Sequence, residues 1–201
     1  MGYKGCENMA DNKTDRRTLK TRKAIFEALA ELLCEKELRN ITIQELSEKA
    51  DIHRVTIYKH FMDIYDIYEQ LENEILSELG LLITEYGAKT TFEVYGVVSQ
   101  YIKDNPVYFK MIFSPHCSSE LYWKVQRMVE GLNRFIWSES FEVDMNDSRV
   151  DCAIRYHSNG TLAIIAGWVQ SDFAQPETFI IDILQGLDKS AQAYLRSLLN
   201  S

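Results

Sequence analysis

Apolar residues recur along this chain at the spacing of an α-helix, and few residues interrupt the pattern. The first clear example is Ile25, Leu29, Leu32 and Leu33, whose offsets of 0, 4, 7 and 8 place four side chains on one helix face. The 201 residues include 9 glycines and 3 prolines, which leaves few residues for tight turns. The sequence therefore predicts an all-α fold of about nine helices.

Several classes of protein are disfavoured by the sequence. Cys6, Cys34, Cys117 and Cys152 form no paired motif, so we expect reduced thiols with neither a zinc site nor a disulfide framework. No apolar run approaches the roughly 18 residues of a membrane span, and no signal-peptide core is present. Gly-rich phosphate loops, nucleophile elbows and the H-E-x-x-H pattern are lacking as well. We therefore expect a cytoplasmic protein that is not an enzyme and has no cofactor, metal or membrane partner.

The net charge of −8 is distributed unevenly along the chain. Residues 13–62 contain 11 basic and 8 acidic side chains, whereas residues 63–201 contain 10 basic and 20 acidic side chains. A basic head on an acidic body is typical of a protein that contacts a polyanion with one end only.

A basic cluster stands directly before the first helix pattern. Five of the eight residues from Arg16 to Lys23 are Lys or Arg. Cations are electrostatically unfavourable near the positive N-terminal end of a helix, so a phosphate partner would explain their placement. A solvated helix start is the alternative interpretation.

The next segment predicts two short helices joined by a tight turn. Thr42 and Glu45 have the spacing of a capping box, so a second helix begins at Ile43. After Asp51 the apolar pattern requires a new helix direction. In this third helix Ile57 faces the core, which leaves a basic and aromatic outer face suited to phosphates and base edges. A solvated helix face remains the alternative.

Three sequence blocks in this region carry a family resemblance. They are TRKAIFEALAELL, NITIQELSEKADI and TIYKHF, and from Thr21 to about Leu71 the chain resembles the helix-turn-helix domain of the TetR family of transcriptional regulators. The resemblance implies phosphate contacts by four residues and base contacts by three. The phosphate set is Thr42, Tyr58, Lys59 and His60, and the base set is Arg54, Val55 and Thr56. Arg16, Arg17, Lys20 and Arg22 of the basic cluster complete the predicted DNA-binding residues.

The chain departs from the family pattern at three positions. Asp51 stands where the family often has Gly, and His53 stands where Ser or Thr often caps the recognition helix. Ile64 replaces a common phosphate-binding Lys at the start of the fourth helix. The turn geometry, the cap and one phosphate contact are therefore open questions.

The C-terminal half more weakly resembles a TetR branch of Gram-positive bacteria, some members of which are associated with dihydroxyacetone kinase genes. The resemblance lies in the segment from Asn105 to Phe113 and in Tyr156, Gly160 and Trp168. In the family the last two helices form a four-helix interface with their copies in a second subunit, and packing of the small residues within one subunit is the alternative. The residues predicted for this interface are Gly160, Ala163, Gly167, Phe179, Ile183, Leu187 and Tyr194. The residues predicted to line an effector pocket are Tyr101, Phe109, Phe113, Tyr122, Trp123, Arg127, Tyr156 and His157.

The predicted organisation has three parts. Residues 1–14 form a disordered extension, residues 15–62 a three-helix helix-turn-helix domain, and residues 63–201 a helical bundle for dimerisation and effector binding. Because residues 1–8 carry no helical pattern, we expect natural translation to start at Met9. The expected function is that of a repressor which binds a near-palindromic double-stranded DNA operator as a homodimer and responds to a small-molecule effector. The alternative is a TetR-like adaptor that acts through a protein partner with reduced DNA binding.

Overall fold

The computed structural model describes the backbone of residues 7–86, 91–140 and 144–199. Side chains are described within 16–85, 93–139 and 144–197. Nine α-helices and one short 3-10 turn, Leu38–Asn40, make up these parts of the chain, and no strand occurs among them. The helices are α1 (Glu7–Glu35), α2 (Ile43–Ala50), α3 (Arg54–His60), α4 (Ile64–Tyr86), α5 (Thr91–Asp104), α6 (Pro106–Ile112), α7 (Ser119–Ser140), α8 (Ser148–Gln170) and α9 (Glu177–Leu199). The predicted all-α fold is confirmed.

The chain divides into two compact units, one ending at Asn73 and the other beginning at Glu74. This division falls inside α4, whereas the sequence predicts a domain boundary after Met62. The difference arises because the first turns of α4 supply Ile67 and Leu71, both fully buried, to the core of the first unit.

The first helix begins earlier than the sequence predicts. Helix α1 starts at Glu7, so residues 7–14 are helical where a disordered extension is expected. No Gly or Pro occurs between Glu7 and Glu35, and a helix once nucleated propagates through such a segment at little cost. Residues 1–6, with Cys6, lie outside the described residues.

The core of the first unit is built from the predicted apolar positions of the first three helices. Ile25 and Leu29 of α1, Leu46 of α2 and Ile57 of α3 are all fully buried. Phe61 follows α3 and packs against α1, with its ring centroid 5.7 Å from that of Phe26. Helices α1, α2 and α3 therefore share one hydrophobic core.

The second unit is a helical bundle in which α8 packs against α7 and α9, and α5 against α9. Trp137 of α7 is its largest fully buried side chain. Around it lie Val94, Ile136, Val150, Ile154 and Leu195. Four helices thus contribute to one apolar cluster.

A buried polar network lies beside this cluster. Asp188 of α9 accepts hydrogen bonds from Trp137 Nε1 at 3.1 Å and Gln192 Nε2 at 3.0 Å. Its Oδ1 also lies 3.3 Å from His157 Nε2, which in turn lies 3.3 Å from the Tyr95 hydroxyl. Burial opposes ionisation of Asp188, but the hydrogen bonds from His157 and Trp137 hold its pKa below the usual value. The network therefore joins α5, α7, α8 and α9 through one buried carboxylate.

Two turns use left-handed backbone at residues other than glycine. Asp51, between α2 and α3, has φ 53° and ψ 41°. Asp172 and Phe173, after α8, have φ 56° and 59°. The left-handed pair explains why α8 ends at Gln170 although the apolar pattern continues to Phe173.

The conformation of Asp51 leads to a stability prediction. A β-branched side chain is strained at this φ, whereas Asn tolerates it. We expect Asp51→Val to lower the free energy of unfolding by about 1–2 kcal/mol and Asp51→Asn to leave it nearly unchanged. Thermal unfolding followed by circular dichroism measures both. Equal stability of the Val and Asn variants would show that the left-handed turn is not required.

The buried carboxylate leads to a second prediction. Asp188→Ala leaves the Trp137 indole N–H and the His157 ring without their partner, and we expect a loss of about 3–5 kcal/mol in the free energy of unfolding. The matched control is Asp182→Ala, an exposed site on the same helix. Its effect should stay within about 0.5 kcal/mol, as measured by urea unfolding.

The lowered pKa of Asp188 also fixes the direction of a pH effect. The unfolded chain binds more protons than the folded chain between the two pKa values, so this stabilisation is present at neutral pH. The stabilisation is lost as the pH falls below about 4, the ordinary pKa of an Asp carboxyl group, toward the lower pKa that Asp188 has in the folded chain. We therefore expect Asp188→Asn to lose less stability than the wild type between pH 5 and pH 3.

Candidate nucleic-acid interface

The beginning of α2 is fixed by the predicted capping box. Thr42 Oγ1 accepts a hydrogen bond from the Glu45 backbone N–H at 3.2 Å, and Glu45 Oε2 accepts one from the Thr42 N–H at 3.2 Å. Lys36, directly after α1, donates to the same carboxylate, and this hydrogen bond lowers the pKa of Glu45. The capping box is confirmed, and Thr42 itself is exposed to solvent.

The turn between α2 and α3 is closed by Ser47. The Ser47 hydroxyl donates to the Ile52 carbonyl at 2.7 Å, and the Ile52 N–H donates back to the Ser47 carbonyl at 3.1 Å. Asp51 adopts the left-handed conformation for which glycine is the usual residue. This answers the question raised by Asp51, because the tight turn forms without a glycine.

Helix α3 begins without a side-chain cap. The His53 side chain makes no capping hydrogen bond, and its carbonyl accepts from the N–H groups of Thr56 at 2.8 Å and Ile57 at 3.2 Å. The fully buried Ile57 then fixes which side of this helix faces inward. Helix α3 therefore has no side-chain cap to stabilise its start, and burial of Ile57 holds the helix in its orientation.

The outward face of α3 combines cationic, aromatic and apolar groups. Val55 is 70% exposed and Tyr58 is 57% exposed, and Arg54 and Lys59 are exposed as well. Tyr58 therefore does not belong to the core. Thr56 and His60 are half-buried, and the His60 ring lies 6.3 Å from that of Phe61. The structure thus brings all six predicted α3 residues onto one seven-residue helix.

The basic cluster of α1 contains side chains of two kinds. Arg16, Arg17 and Lys20 are exposed. Arg22 is half-buried and lies over the ring of Phe26, with 5.1 Å between its guanidinium carbon and the ring centroid. The structure therefore separates Arg22 from the other cations with which the sequence groups it.

Two exposed residues beside α3 were missed by sequence reasoning. Met62, in the connection after α3, is 81% exposed, and Tyr65, in the first turn of α4, is 57% exposed. Ile64 between them is nearly buried, so it points away from solvent. The polar Asp63 and the single apolar Ile64 of this connection were the only sequence signal that the residues around them face solvent.

A second exposed face lies on α8 and α9. Phe179, Ile183, Leu187 and Tyr194 are 42–63% exposed along α9. On α8, Gly160, Ala163 and Gly167 are all exposed, and a Cβ atom added to either glycine would have no neighbour within 4 Å. All seven residues predicted for a dimer interface therefore lie at the surface of the second unit. Two open grooves of about 480 and 690 Å³ lie between these helices.

The residues predicted to line an effector pocket differ in how far they are buried. Phe109 and Phe113 are buried, and Tyr101 stacks edge-on against Phe109 with 5.7 Å between ring centroids. Burial raises the pKa of Tyr101, whose hydroxyl donates to Glu78 Oε2.

Most of the other predicted pocket residues face solvent. Tyr122, Trp123 and Arg127 are exposed on α7, and Tyr156 is 82% exposed on α8. Its neighbour His157 is buried in the polar network. Successive helical residues lie about 100° apart around the axis, which separates such sequence neighbours.

Two kinds of site are not found within the described parts of the chain. No helix there is both long and apolar enough to cross a membrane. No group of three or more His, Cys, Asp or Glu side chains in the same residues could hold a metal ion.

Comparisons with known proteins find similarity in structure only. No protein-family model matches the chain, and no curated protein matches it in sequence. A TetR/AcrR-family transcriptional regulator from Aquifex aeolicus VF5 is 15% identical, with a TM-score of 0.62 over 83% of this chain and 97% of that chain. A TetR-family regulator from Streptomyces coelicolor is 16% identical, with a TM-score of 0.56 over 87% and 82%.

A third solved structure agrees with the resemblance of the C-terminal half. It is the dihydroxyacetone kinase operon activator DhaS, 15% identical with a TM-score of 0.51 over 84% of this chain and 96% of that chain. At such identities the likeness concerns the fold, and all three structures share it over most of their length. The chain has the all-α fold of the TetR/AcrR-family transcriptional regulators.

Proposed function

We propose that this protein is a TetR-family transcriptional regulator that binds a near-palindromic operator in double-stranded DNA as a homodimer. The observation that carries the proposal is the exposed face of α3. This face presents Arg54, Val55, Tyr58 and Lys59, and the fully buried Ile57 anchors the helix from the other side. An α-helix of this kind, second in a helix-turn-helix, fits the major groove of B-DNA.

The side chains of this face suit two kinds of DNA contact. Lys59, Tyr58 and the exposed Thr42 can donate hydrogen bonds to phosphate oxygens, which position a protein without reading sequence. Arg54 can donate two hydrogen bonds to guanine, and Val55 can contact a thymine methyl group. Arg16, Arg17 and Lys20 add positive charge for the phosphate backbone.

The exposed apolar face of α8 and α9 supports the homodimer. Soluble monomers rarely expose a long apolar stripe, and small residues such as Gly160 and Gly167 allow a second helix to approach closely. A twofold axis through this face would give two recognition helices, and half-sites one DNA turn apart place these helices about 34–36 Å from each other.

The direction of regulation and the effector complete the proposal. We expect repression that a small-molecule effector relieves, with the effector bound in the second unit. The solved structure of DhaS is named as that of an activator, so fold alone does not favour either direction. A reporter gene placed behind the operator, with and without the regulator, distinguishes repression from activation.

One alternative has a specific observation in its favour. The His53 side chain makes no capping hydrogen bond, and Ile64 is nearly buried. The Ser or Thr cap and the phosphate-binding Lys that are common in the family are therefore both missing. A TetR-like adaptor that acts through a protein partner would tolerate these losses. Selection of binding sites from random-sequence DNA by the wild-type protein separates the two functions, because an adaptor enriches no sequence.

The face of α3 generates a prediction about two kinds of contact. Lys59→Ala should weaken binding to all DNA and lower the salt slope by about one unit, because one phosphate contact is lost. Arg54→Ala should cost roughly 1–3 kcal/mol on the selected sequence with less effect on random DNA. Fluorescence anisotropy at several salt concentrations measures both quantities.

The control for these variants is Lys110→Ala, an exposed lysine of α6 in the second unit. It should leave affinity and salt slope unchanged. If the α3 variants fold normally and also bind the selected DNA like the wild type, α3 is not the recognition helix and the adaptor becomes the better proposal.

The face of α8 and α9 generates a prediction about assembly. Leu187 is 49% exposed, so Leu187→Glu leaves the monomer core intact but places a charge in the proposed interface. We expect the wild type to be a dimer at micromolar concentration and this variant to be mainly a monomer with weakened operator binding. Light scattering after size exclusion measures the mass.

The matched control is Leu81→Glu, the same change at a leucine that is 65% exposed on α4. This variant should remain a dimer. A wild-type monomer at micromolar concentration, or a dimeric Leu187→Glu variant, would show that α8 and α9 do not form the interface.

A further inference from the structure

The guanidinium of Arg22 lies over two aromatic rings of the first unit, which also contact each other. Its central carbon lies 5.1 Å from the centroid of Phe26, one turn along α1, and 5.2 Å from the centroid of Phe61. Phe61 is the C-cap residue directly after α3. A cation over an aromatic face within about 6 Å is attracted by the ring quadrupole, so Arg22 links α1 to the end of the proposed recognition helix.

Hydrogen bonds extend this link into α4. Arg22 Nη1 donates to Gln70 Oε1 at 2.8 Å, and Gln70 Nε2 donates to Asp66 Oδ1 at 2.8 Å. The second oxygen of Asp66 accepts the backbone N–H of Met62 at 2.7 Å. The path therefore returns to the residue after Phe61 and holds the α3–α4 connection from both sides.

The charge of Asp66 strengthens the hydrogen bonds of this path. The backbone hydrogen bond from Met62, together with that from Gln70 and the nearby Arg22, lowers the pKa of Asp66. Asp66 is therefore an anion at neutral pH and a strong acceptor for the Met62 N–H. A hydrogen bond to a charged group is stronger than a neutral one, which restrains the backbone where α3 ends.

We propose that Arg22 is a positioning residue for the recognition helix and that it acts through Phe61, Gln70 and Asp66 instead of by contact with DNA. This inference rests on the proposed DNA-binding function. The planar guanidinium covers two rings and donates to Gln70 at the same time, whereas a lysine ammonium lacks the flat faces and the fixed fork of donors. A lysine at this position keeps the charge but loses the geometry.

The experiment compares Arg22→Lys and Arg22→Ala with Arg17→Ala, an exposed cation of the same helix that serves as the phosphate-contact control. The probes are a DNA duplex selected by the wild type from a random library and a random-sequence duplex. We expect Arg22→Lys to lower affinity for the selected duplex about tenfold while its affinity for random DNA and its salt slope stay unchanged. Arg17→Ala should weaken binding to both duplexes and lower the slope.

A measurement without DNA tests the positioning itself. Amide hydrogen exchange of Phe61 and Met62 should become at least tenfold faster in Arg22→Lys, while that of Leu46 in α2 stays as in the wild type. Gln70→Leu should have a similar effect, and adding it to Arg22→Lys should change little more, because both act on one path.

Two results would overturn the inference. The first is a combination of two findings: Arg22→Lys binds the selected duplex like the wild type, and Arg22→Ala has a salt slope lowered by about one. Such a combination would identify Arg22 as a phosphate ligand. The second is unchanged amide exchange at Phe61 and Met62. If the wild type selects no DNA sequence, the proposed function fails, and the exchange measurement still decides whether Arg22 orders the end of α3.

Discussion

The burial of two side chains, Ile57 and Phe61, is the constraint on which the proposed DNA-binding face depends. Helix α3 has seven residues, and a helix of that length is not stable in water by itself. It also lacks a side-chain cap at His53. Its orientation must therefore come from tertiary contacts, and these are the burial of Ile57 and the packing of Phe61 on Phe26. Burial of Ile57 and Phe61 on the inner side of α3 therefore determines which side chains the helix presents to solvent.

Sequence reasoning predicted this part of the molecule well because its signals are local. The capping box needs two residues three positions apart, and the apolar spacing of α1 needs nine residues in one helix. The same reasoning grouped Arg22 with the exposed cations of α1. Only Phe26, one turn away, could have indicated another role, since Phe61 and Gln70 are distant in sequence. The basic run around Arg22 does not indicate that folding places the ring of Phe61 beside this residue.

The second unit was predicted less completely for a related reason. The all-α fold was predicted correctly, but the face of each aromatic residue depends on which neighbouring helices cover it. Tyr156 and His157 are adjacent in sequence, yet one is 82% exposed and the other is buried. The partner of His157 is Asp188, on another helix 31 positions away. No local pattern distinguishes an aromatic side chain that lines a cavity from one that faces solvent or a second subunit.

The buried network and the exposed apolar face of α8 and α9 constrain each other. Leu187 and Asp188 are neighbours on α9, and so are Tyr156 and His157 on α8, so each helix presents an apolar residue outward next to a polar residue inward. A rotation of α9 by one residue would carry Asp188 toward solvent and leave the Trp137 N–H and His157 buried without a partner. The polar network therefore sets the rotation of α9, and with it the residues that a second subunit would meet.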